Sequence, residues 1–223
     1  MAVMRQLVDA IRMLAEAEII DHAGHCSVRQ DALTFHINSG ASVRPTLTEA
    51  DIVTVGLDGA TADGASKPPL ERHIHAEIYR ARPDVQAIMH THPRWSTFLS
   101  MTGVAYQPVM PQGALLGEVP VLDSPLSVNT PEAGRRLAAA LGNARAVFLR
   151  SHGAVIVGGD IIECFALAVY AEDNAYRQYM ALQIGVPYVF TEAEQQACRE
   201  NLWSPGLFRK VWDHHHSKLL ETR

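Results

Sequence analysis

Apolar residues recur along the chain with helical spacing in some segments and with strand-like spacing in others. In residues 3–17, Leu7, Ile11 and Leu14 fall on one face of a helix, and Gly24 breaks the pattern soon afterwards. Periodicity and capping residues predict further helices over residues 70–82, 94–101, 130–141, 160–185, 192–202 and 206–220. Shorter apolar or β-branched runs predict strands near residues 27–28, 33–37, 52–57 and 85–89, and a strand–turn–strand unit over 146–158.

These elements mix helices and short strands without a regular β-α-β alternation, an internal repeat or a linker. Such a mixture predicts an α/β fold, namely a single-domain α/β/α sandwich around a largely antiparallel central sheet. A length of 223 residues and a hydrophobic share of 48% suffice for one sizeable core. We therefore expect one domain over residues 1–223.

Charge and cysteine content narrow the possible functions. The net charge of -5 argues against a nucleic-acid partner, and no apolar run is long enough to span a bilayer. The first predicted helix carries charges among its apolar residues, unlike a secretory signal. Cys26, Cys164 and Cys198 are scattered and give neither a disulfide framework nor zinc-ribbon spacing. We expect a cytoplasmic protein that acts on a small molecule, with no membrane and no nucleic-acid partner.

A histidine pair follows the apolar run at residues 85–89. Side chains two residues apart in a strand point to the same face, so His90 and His92 project together. His152 lies in the predicted turn between the strands of residues 146–158 and would be the third member of the group. Three histidines with one open position are typical of a catalytic metal site, and Glu71 is either a fourth ligand or an acid–base group. The simpler alternative is a pair of hydrogen-bonded histidines near a sheet edge.

The histidines and Glu71 belong to a wider set of motifs along the chain. These motifs are Gly24-His25-Cys26-Ser27-Val28-Arg29, Leu57-Asp58-Gly59, Glu71, Ile78-Tyr79-Arg80-Ala81-Arg82-Pro83-Asp84, His90-Thr91-His92 and Ser151-His152-Gly153. In these motifs the chain resembles the class II aldolase/adducin family over nearly its whole length. The resemblance implies a class II aldolase-like domain with one divalent metal ion per subunit on His90, His92 and His152, and an acid–base role for Glu71. The metal is usually zinc in that family, although imidazole ligands also accept manganese.

Several positions depart from the pattern of the family's sugar-phosphate aldolases. Those enzymes hold phosphate with the asparagine of Gly-Asn-x-Ser, a Thr-Ser-Gly turn and a Ser-Ser pair before the catalytic glutamate. The same places here read His25, Asn38-Ser39-Gly40 and Pro69-Leu70. A phosphate dianion needs several donors, whereas Pro69 has no N–H and Leu70 offers an apolar wall. We therefore expect a flatter, less charged and partly apolar substrate.

These departures are similar to the decarboxylase branch of the family, which acts on hydroxylated aromatic or heteroaromatic dicarboxylates. Decarboxylation and retro-aldol cleavage both leave an electron pair on carbon, which a metal-held oxygen spreads as an enolate. An aldolase or epimerase of a small sugar or sugar phosphate, and a non-catalytic adducin-like scaffold, are the alternatives. Such scaffolds lack the metal histidines. The predicted substrate-binding residues are His25, Ser27, Arg29, Ser39, Gly40 and Leu70, of which His25 and Arg29 are the candidates for holding a carboxylate.

The last expectations concern the oligomeric state and the remaining histidines. The resemblance, together with the large apolar residues of segment 203–220, predicts a homo-oligomer, a tetramer with active sites at subunit interfaces. His73 and His75 follow Glu71 on a predicted helix, where a place on the surface or behind the metal ligands is expected. One residue of the run at 214–216 either completes a neighbouring subunit's site or lies on a solvated helix face. This run consists of His214, His215 and His216.

Overall fold

The computed structural model describes residues 2–61 and 66–221. The strands in these ranges are β1 (His25–Arg29), β2 (Thr34–Asn38), β3 (Ile52–Gly56), β4 (Ala87–Thr91), β5 (Val121–Leu122), β6 (Ala146–Leu149) and β7 (Gly153–Gly158). The α-helices are α1 (Ala2–Glu16), α2 (Arg72–Ala81), α3 (Arg94–Met101), α4 (Pro131–Leu141), α5 (Ile161–Ile184), α6 (Glu192–Leu202) and α7 (Pro205–Glu221). Two short 3-10 helices cover Glu49–Asp51 and Pro111–Leu116.

The strands form one seven-stranded sheet in the order β3-β2-β1-β4-β7-β6-β5. Every neighbouring pair is antiparallel except β5 and β6, which are parallel. The prediction of a largely antiparallel sheet is therefore confirmed. Strand β4 lies at the centre of the sheet, between β1 and β7, so both edges of its backbone are hydrogen-bonded.

Helices cover both faces of the sheet. Because strand side chains alternate, β4 sends Met89 into one hydrophobic cluster and Ile88 into the other. The Met89 cluster contains buried residues of α1, α5 and α7, whereas the Ile88 cluster contains residues of α2 and α4. Helices thus lie on either side of the sheet, and the predicted α/β/α sandwich is confirmed. Within the described ranges, no helix combines the length and apolar character that crossing a membrane requires.

Helix caps follow the predicted chemistry. The Thr130 hydroxyl accepts a hydrogen bond from the Ala133 amide at the start of α4, and the Asp160 carboxylate accepts one from the Glu163 amide at the start of α5. The Glu163 carboxylate accepts from the Gly159 amide and not from that of Asp160, so only the Asp160 half of the predicted capping box forms.

Strand β4 lies two residues later than the pattern predicts. Val85 still belongs to a turn, where its amide donates to the Arg82 carbonyl oxygen. Pairing with both neighbouring strands then continues as far as His90, which is opposite His25 on one side and Val155 on the other. His90 therefore lies inside the strand, and His92 lies just beyond its end.

Candidate metal centre

His90 and His92 direct one ring nitrogen each to the same point. His90 is fully buried, and its Nδ1 lies 3.2 Å from the carbonyl oxygen of Ala154. His92 Nδ1 lies 2.9 Å from Asp21 Oδ1, which also accepts from the amides of Ala23 and Gly24. A carbonyl or carboxylate oxygen can only accept, so each Nδ1 carries the proton and each Nε2 presents a lone pair. The two Nε2 atoms lie 3.2 Å apart, an arrangement that a shared cation stabilises.

His152 reaches the same point from the turn between β6 and β7. The turn closes through a hydrogen bond of 3.1 Å from the His152 amide to the Leu149 carbonyl oxygen, and Ser151 adopts a left-handed φ of 58°. The His152 ring centroid lies 5.1 Å from those of both His90 and His92. Its Nδ1 is buried and has no hydrogen-bond partner among the described residues.

Glu71 completes the group from the N-terminal end of α2. Its Oε1 accepts from the Val128 amide at 2.7 Å and from the Ser127 hydroxyl at 2.9 Å. Its Oε2 lies 3.4 Å from His90 Nε2. Burial raises the pKa of Glu71, but the imidazoles of His25 and His90 and the Val128 amide lower it more. The pKa is therefore held well below its usual range, and the carboxylate is ionised.

The donor set fits a divalent transition metal. One ligand atom from each of Glu71, His90, His92 and His152 lies within 4.8 Å of all the others. Burial disfavours the imidazolium form and lowers the pKa of His90 to about 4, and burial is also the largest cause of the lowered pKa values of His92 and His152. Neutral imidazole is the form that ligates metal. These residues form the candidate metal centre.

A cleft of about 480 Å³ adjoins the candidate metal centre. Glu71 and His25 form the part of its lining nearest the metal ligands, and Pro69 and Leu70 form an apolar wall. The Leu70 side chain is 74% exposed, so it is available to contact a ligand. His22, Gly40, Arg44 and Ser127 also contribute to the lining.

Of the six predicted substrate-binding residues, His25, Gly40 and Leu70 line this cleft. His25 is buried, its Nδ1 lies 2.7 Å from His75 Nε2, and its Nε2 has no hydrogen-bond partner in the described part of the chain. Ser39 is buried beside Gly40 and is not part of the lining. The Gly40 amide donates to the Lys67 carbonyl oxygen and is therefore already engaged.

Ser27 and Arg29 lie away from the cleft. The Ser27 hydroxyl is fully buried beneath α2, 2.6 Å from His75 Nδ1 and 2.8 Å from the Tyr79 hydroxyl. The Arg29 guanidinium donates to the carbonyl oxygens of Val85, Tyr79 and Arg82. Arg29 lies four residues beyond His25 along β1, or roughly 13 Å at about 3.3 Å per residue. The structure thus brings neither residue to the cleft.

The other histidines divide between the two faces of the sheet. His73 and His75 are both buried on α2, so a surface position is wrong for them, and His75 lies behind His25. His214, His215 and His216 lie on α7, which packs against α1 and α5. His216 Nε2 lies 3.5 Å from Asp9 of α1. In its own chain, α7 packs on the face opposite His90, and a role in a neighbouring subunit stays a prediction.

Sequence reasoning missed Asp21, Arg44 and Ser127. Asp21 orients His92, Ser127 holds Glu71, and Arg44 lines the cleft. Each comes from a different loop and has no spacing relationship to the histidines. No predicted helix or strand covers these positions, and nothing in the sequence indicates which loop residues would meet.

A family model of the Class II Aldolase and Adducin N-terminal domain matches residues 5–179. The chain belongs to the class II aldolase and adducin family. It is 31% identical to a 3,4-dihydroxyphthalate decarboxylase from a Terrabacter species, over 96% of this chain and 95% of the relative. It is also 28% identical to an L-fuculose phosphate aldolase from Methanocaldococcus jannaschii, over 77% of this chain and 92% of the relative.

A solved structure gives the same fold for this member of the class II aldolase family. L-fuculose 1-phosphate aldolase from Glaciozyma antarctica superposes with a TM-score of 0.87 at 23% identity, over 99% of this chain and 89% of that one. Relatives of the chain are thus lyases of both kinds, aldolases and decarboxylases. Class II aldolases use a divalent metal, usually zinc, and the cluster of three histidines and Glu71 has the donor set for one.

Proposed function

We propose that the protein is a metal-dependent carbon–carbon lyase that decarboxylates a hydroxylated aromatic or heteroaromatic carboxylate or dicarboxylate. The observation that carries the proposal is the apolar wall of Pro69 and Leu70 beside Glu71 and the candidate metal centre. A planar aromatic ring fits such a wall. The likeness to 3,4-dihydroxyphthalate decarboxylase supports the proposal.

Phosphate is a poor match for the cleft. Pro69 has no N–H, the Gly40 amide donates to Lys67, and the Ser39 amide donates to the Asp51 carbonyl oxygen. A buried phosphate needs several donors, because each unpaired oxygen costs free energy. The cleft therefore favours the aromatic acid over a sugar phosphate, which is the substrate class of the alternative aldolase or epimerase. The presence of all three metal histidines disfavours the scaffold alternative.

The chain's own residues account for the proton movements. When bound, a divalent metal, zinc or manganese, would polarise substrate oxygen and stabilise the negative charge left on carbon. The ionised Glu71 accepts the proton of the substrate hydroxyl at Oε2, the oxygen that faces His90. As the bond to the carboxylate breaks, its electron pair stays on the ring carbon and carbon dioxide leaves. Glu71 then returns the proton to that carbon.

Paired assays on the metal-loaded protein test the proposal. We expect release of carbon dioxide from hydroxyphthalate-like or hydroxypyridine-dicarboxylate-like acids, and little cleavage of fuculose- or rhamnulose-type phosphates. The same preparation after chelation of the metal is the control and is expected to be inactive. Efficient cleavage of a phosphosugar, with no decarboxylation of any aromatic acid, would favour the aldolase over the decarboxylase.

A further inference from the structure

A buried arginine in the cleft forms no direct ion pair with a carboxylate in the part of the chain that the structure describes, although Asp21 is near enough to attract its charge. Arg44 is 2% exposed and lies in the lining of the cleft together with His25 and Glu71. Its Nε donates to the Gly24 carbonyl oxygen at 2.7 Å, and its Nη1 donates to the Ser42 carbonyl and to the Ser42 hydroxyl at 2.9 Å. These contacts fix the orientation of the guanidinium group without neutralising its charge.

The remaining donors of Arg44 are unused. Among residues 2–61 and 66–221, no carboxylate forms an ion pair with Arg44, and Nη2 has no hydrogen-bond acceptor. Buried charges in proteins are normally paired, because an unpaired charge removed from water costs several kcal/mol. A guanidinium group that is held in place beside a cleft, with an unused donor and no carboxylate in contact, therefore suits an anion.

Arg44 is hydrogen-bonded to the loop that leads into His25, next to the candidate metal centre. Gly24, whose carbonyl accepts from Arg44, directly precedes His25, and His25 pairs with His90 across β1 and β4. A Cβ atom on Gly24 would lie 3.0 Å from the His90 carbonyl oxygen, so the two backbones pack tightly there. One ligand can therefore extend from the metal ligands to Arg44 along the cleft.

We propose that Arg44 forms a carboxylate subsite, and that it binds the carboxylate of the substrate that is not lost. The inference rests on the proposed function, and it restricts the substrate class to dicarboxylates. The carboxylate that leaves lies at the candidate metal centre beside Glu71, while Nη2 of Arg44 donates to the second carboxylate. The ring between them lies against Leu70.

Carboxylate fits the free donors better than phosphate. Nε and Nη1 are engaged with Gly24 and Ser42, so Nη2 is left to donate a charge-assisted hydrogen bond to one carboxylate oxygen. A phosphate would present a third oxygen and a second charge, yet the nearby amides of Ser39 and Gly40 already donate to backbone carbonyls. Arg29, the arginine expected from the sequence to hold a carboxylate, has its donors directed at three carbonyl oxygens instead.

Calorimetric titration of the metal-loaded protein tests the subsite. Phthalate is the dicarboxylate probe, benzoate is the monocarboxylate probe, and inorganic phosphate is the third probe. In the wild type, we expect phthalate to bind at least about ten-fold more tightly than benzoate, the scale of one charged hydrogen bond. In Arg44→Met, phthalate affinity falls to that of benzoate, and benzoate affinity hardly changes. Arg44→Lys, which keeps the charge but loses the donors that bind Gly24 and Ser42 and orient the group, is expected to lie between them.

Arg29→Lys is the matched control, because it alters another guanidinium group that donates to backbone carbonyls. It is expected to lower the melting temperature and to leave phthalate affinity unchanged. Metal content and melting curves of each variant show that the fold persists. Equal wild-type affinities for phthalate and benzoate, or unchanged phthalate binding in Arg44→Met, would overturn the subsite. Phosphate binding more tightly than phthalate and depending on Arg44 would assign the subsite to phosphate and overturn the carboxylate assignment.

Failure of the subsite and failure of the proposed function give different results. If aromatic acids are decarboxylated but the affinity for phthalate does not depend on Arg44, the proposed function stands and the proposed subsite is wrong. If phthalate binding depends on Arg44 but no aromatic acid loses carbon dioxide, the subsite stands and the function is wrong.

Discussion

At the scale of single residues, the two oxygens of Glu71 have different surroundings. Oε1 is held by the Val128 amide and the Ser127 hydroxyl, whereas Oε2 lies 3.4 Å from His90 Nε2 and 3.8 Å from His25 Nε2. One oxygen thus anchors the side chain and the other is available to substrate. A group that transfers protons requires such an arrangement, because it must be held in position and still reach the reacting atoms.

We predict that Glu71→Gln folds and binds metal but loses turnover by about two or more orders of magnitude, the usual scale of acid–base catalysis. The amide oxygen can still accept from Val128, while the amide nitrogen cannot take up a proton. Ser127→Ala is the matched control, since it removes one hydrogen bond to Oε1 and keeps the carboxylate. Steady-state kinetics and metal analysis of both variants check the prediction. Turnover near that of the wild type in Glu71→Gln would refute the role.

We predict one divalent metal per subunit, held by His90, His92 and His152, and that His92→Ala loses it. The substitution removes one of the two Nε2 atoms that lie 3.2 Å apart. Elemental analysis after dialysis against a weak chelator measures the loss. His36→Ala is the control, because His36 is a half-buried histidine of β2 that bonds to Thr54 away from the centre. Full metal occupancy in His92→Ala would contradict the assignment.

Residue spacing explains which site residues sequence reasoning could find. His90 and His92 have strand spacing, His152 follows an apolar strand, and Glu71 follows two prolines at a predicted helix start. Arg44 and Asp21 have no such relation to a motif. Their roles depend on how two loops fold back onto the ends of β1 and β4, and no local pattern in the sequence specifies that path.

At the scale of elements, strand register decides which side chains meet. His25, Ser27 and Arg29 share one face of β1, so alternation alone treats them alike. The antiparallel register pairs His25 with His90 and Ser27 with Ile88, which places only the first of the three at the metal end of β4. Periodicity predicts faces, whereas register depends on the long-range pairing of strands. Ser27 and Arg29 were expected at the site from the motif that they share with His25, and the register of β1 places both of them elsewhere.

The contact between β7 and the end of β4 gives a prediction at this scale. A Cβ atom at Gly153 would overlap the Thr91 carbonyl oxygen and lie 2.8 Å from His92 Cδ2. Gly153→Ala should therefore displace His92, weaken metal binding and cost about 1–3 kcal/mol of stability, the usual range for overpacking. Gly103→Ala is the control, because its Cβ would meet nothing within 4 Å. Metal titration and thermal melts check both variants, and wild-type values in Gly153→Ala would contradict this account.

At the scale of the whole molecule, the α/β/α arrangement follows from alternation on β4 and from the amphipathic helices, which the sequence shows directly. That residues 1–223 form one domain stays a prediction.

Local sequence patterns do not predict which apolar side chains stay exposed on the surface. Ile184 and Val186 are 92% and 97% exposed at the end of α5, and Tyr188 beside them is 66% exposed. Nearby, Trp95 of α3 contacts Tyr176 and Tyr179 of α5 with ring centroids 5.0 Å apart.

This apolar surface at the end of α5 supports the expected homo-oligomer. Several large apolar side chains exposed within a short segment often mark protein–protein contacts. We predict a tetramer in light scattering, with four times the chain mass of 24.5 kDa. The double variant Ile184→Lys with Val186→Lys should dissociate it, and activity should fall if the sites lie at subunit interfaces. Leu33→Lys is the control, because Leu33 is an isolated exposed leucine in the turn between β1 and β2. A wild-type monomer at micromolar concentration with full activity would contradict both the tetramer and the interfacial site.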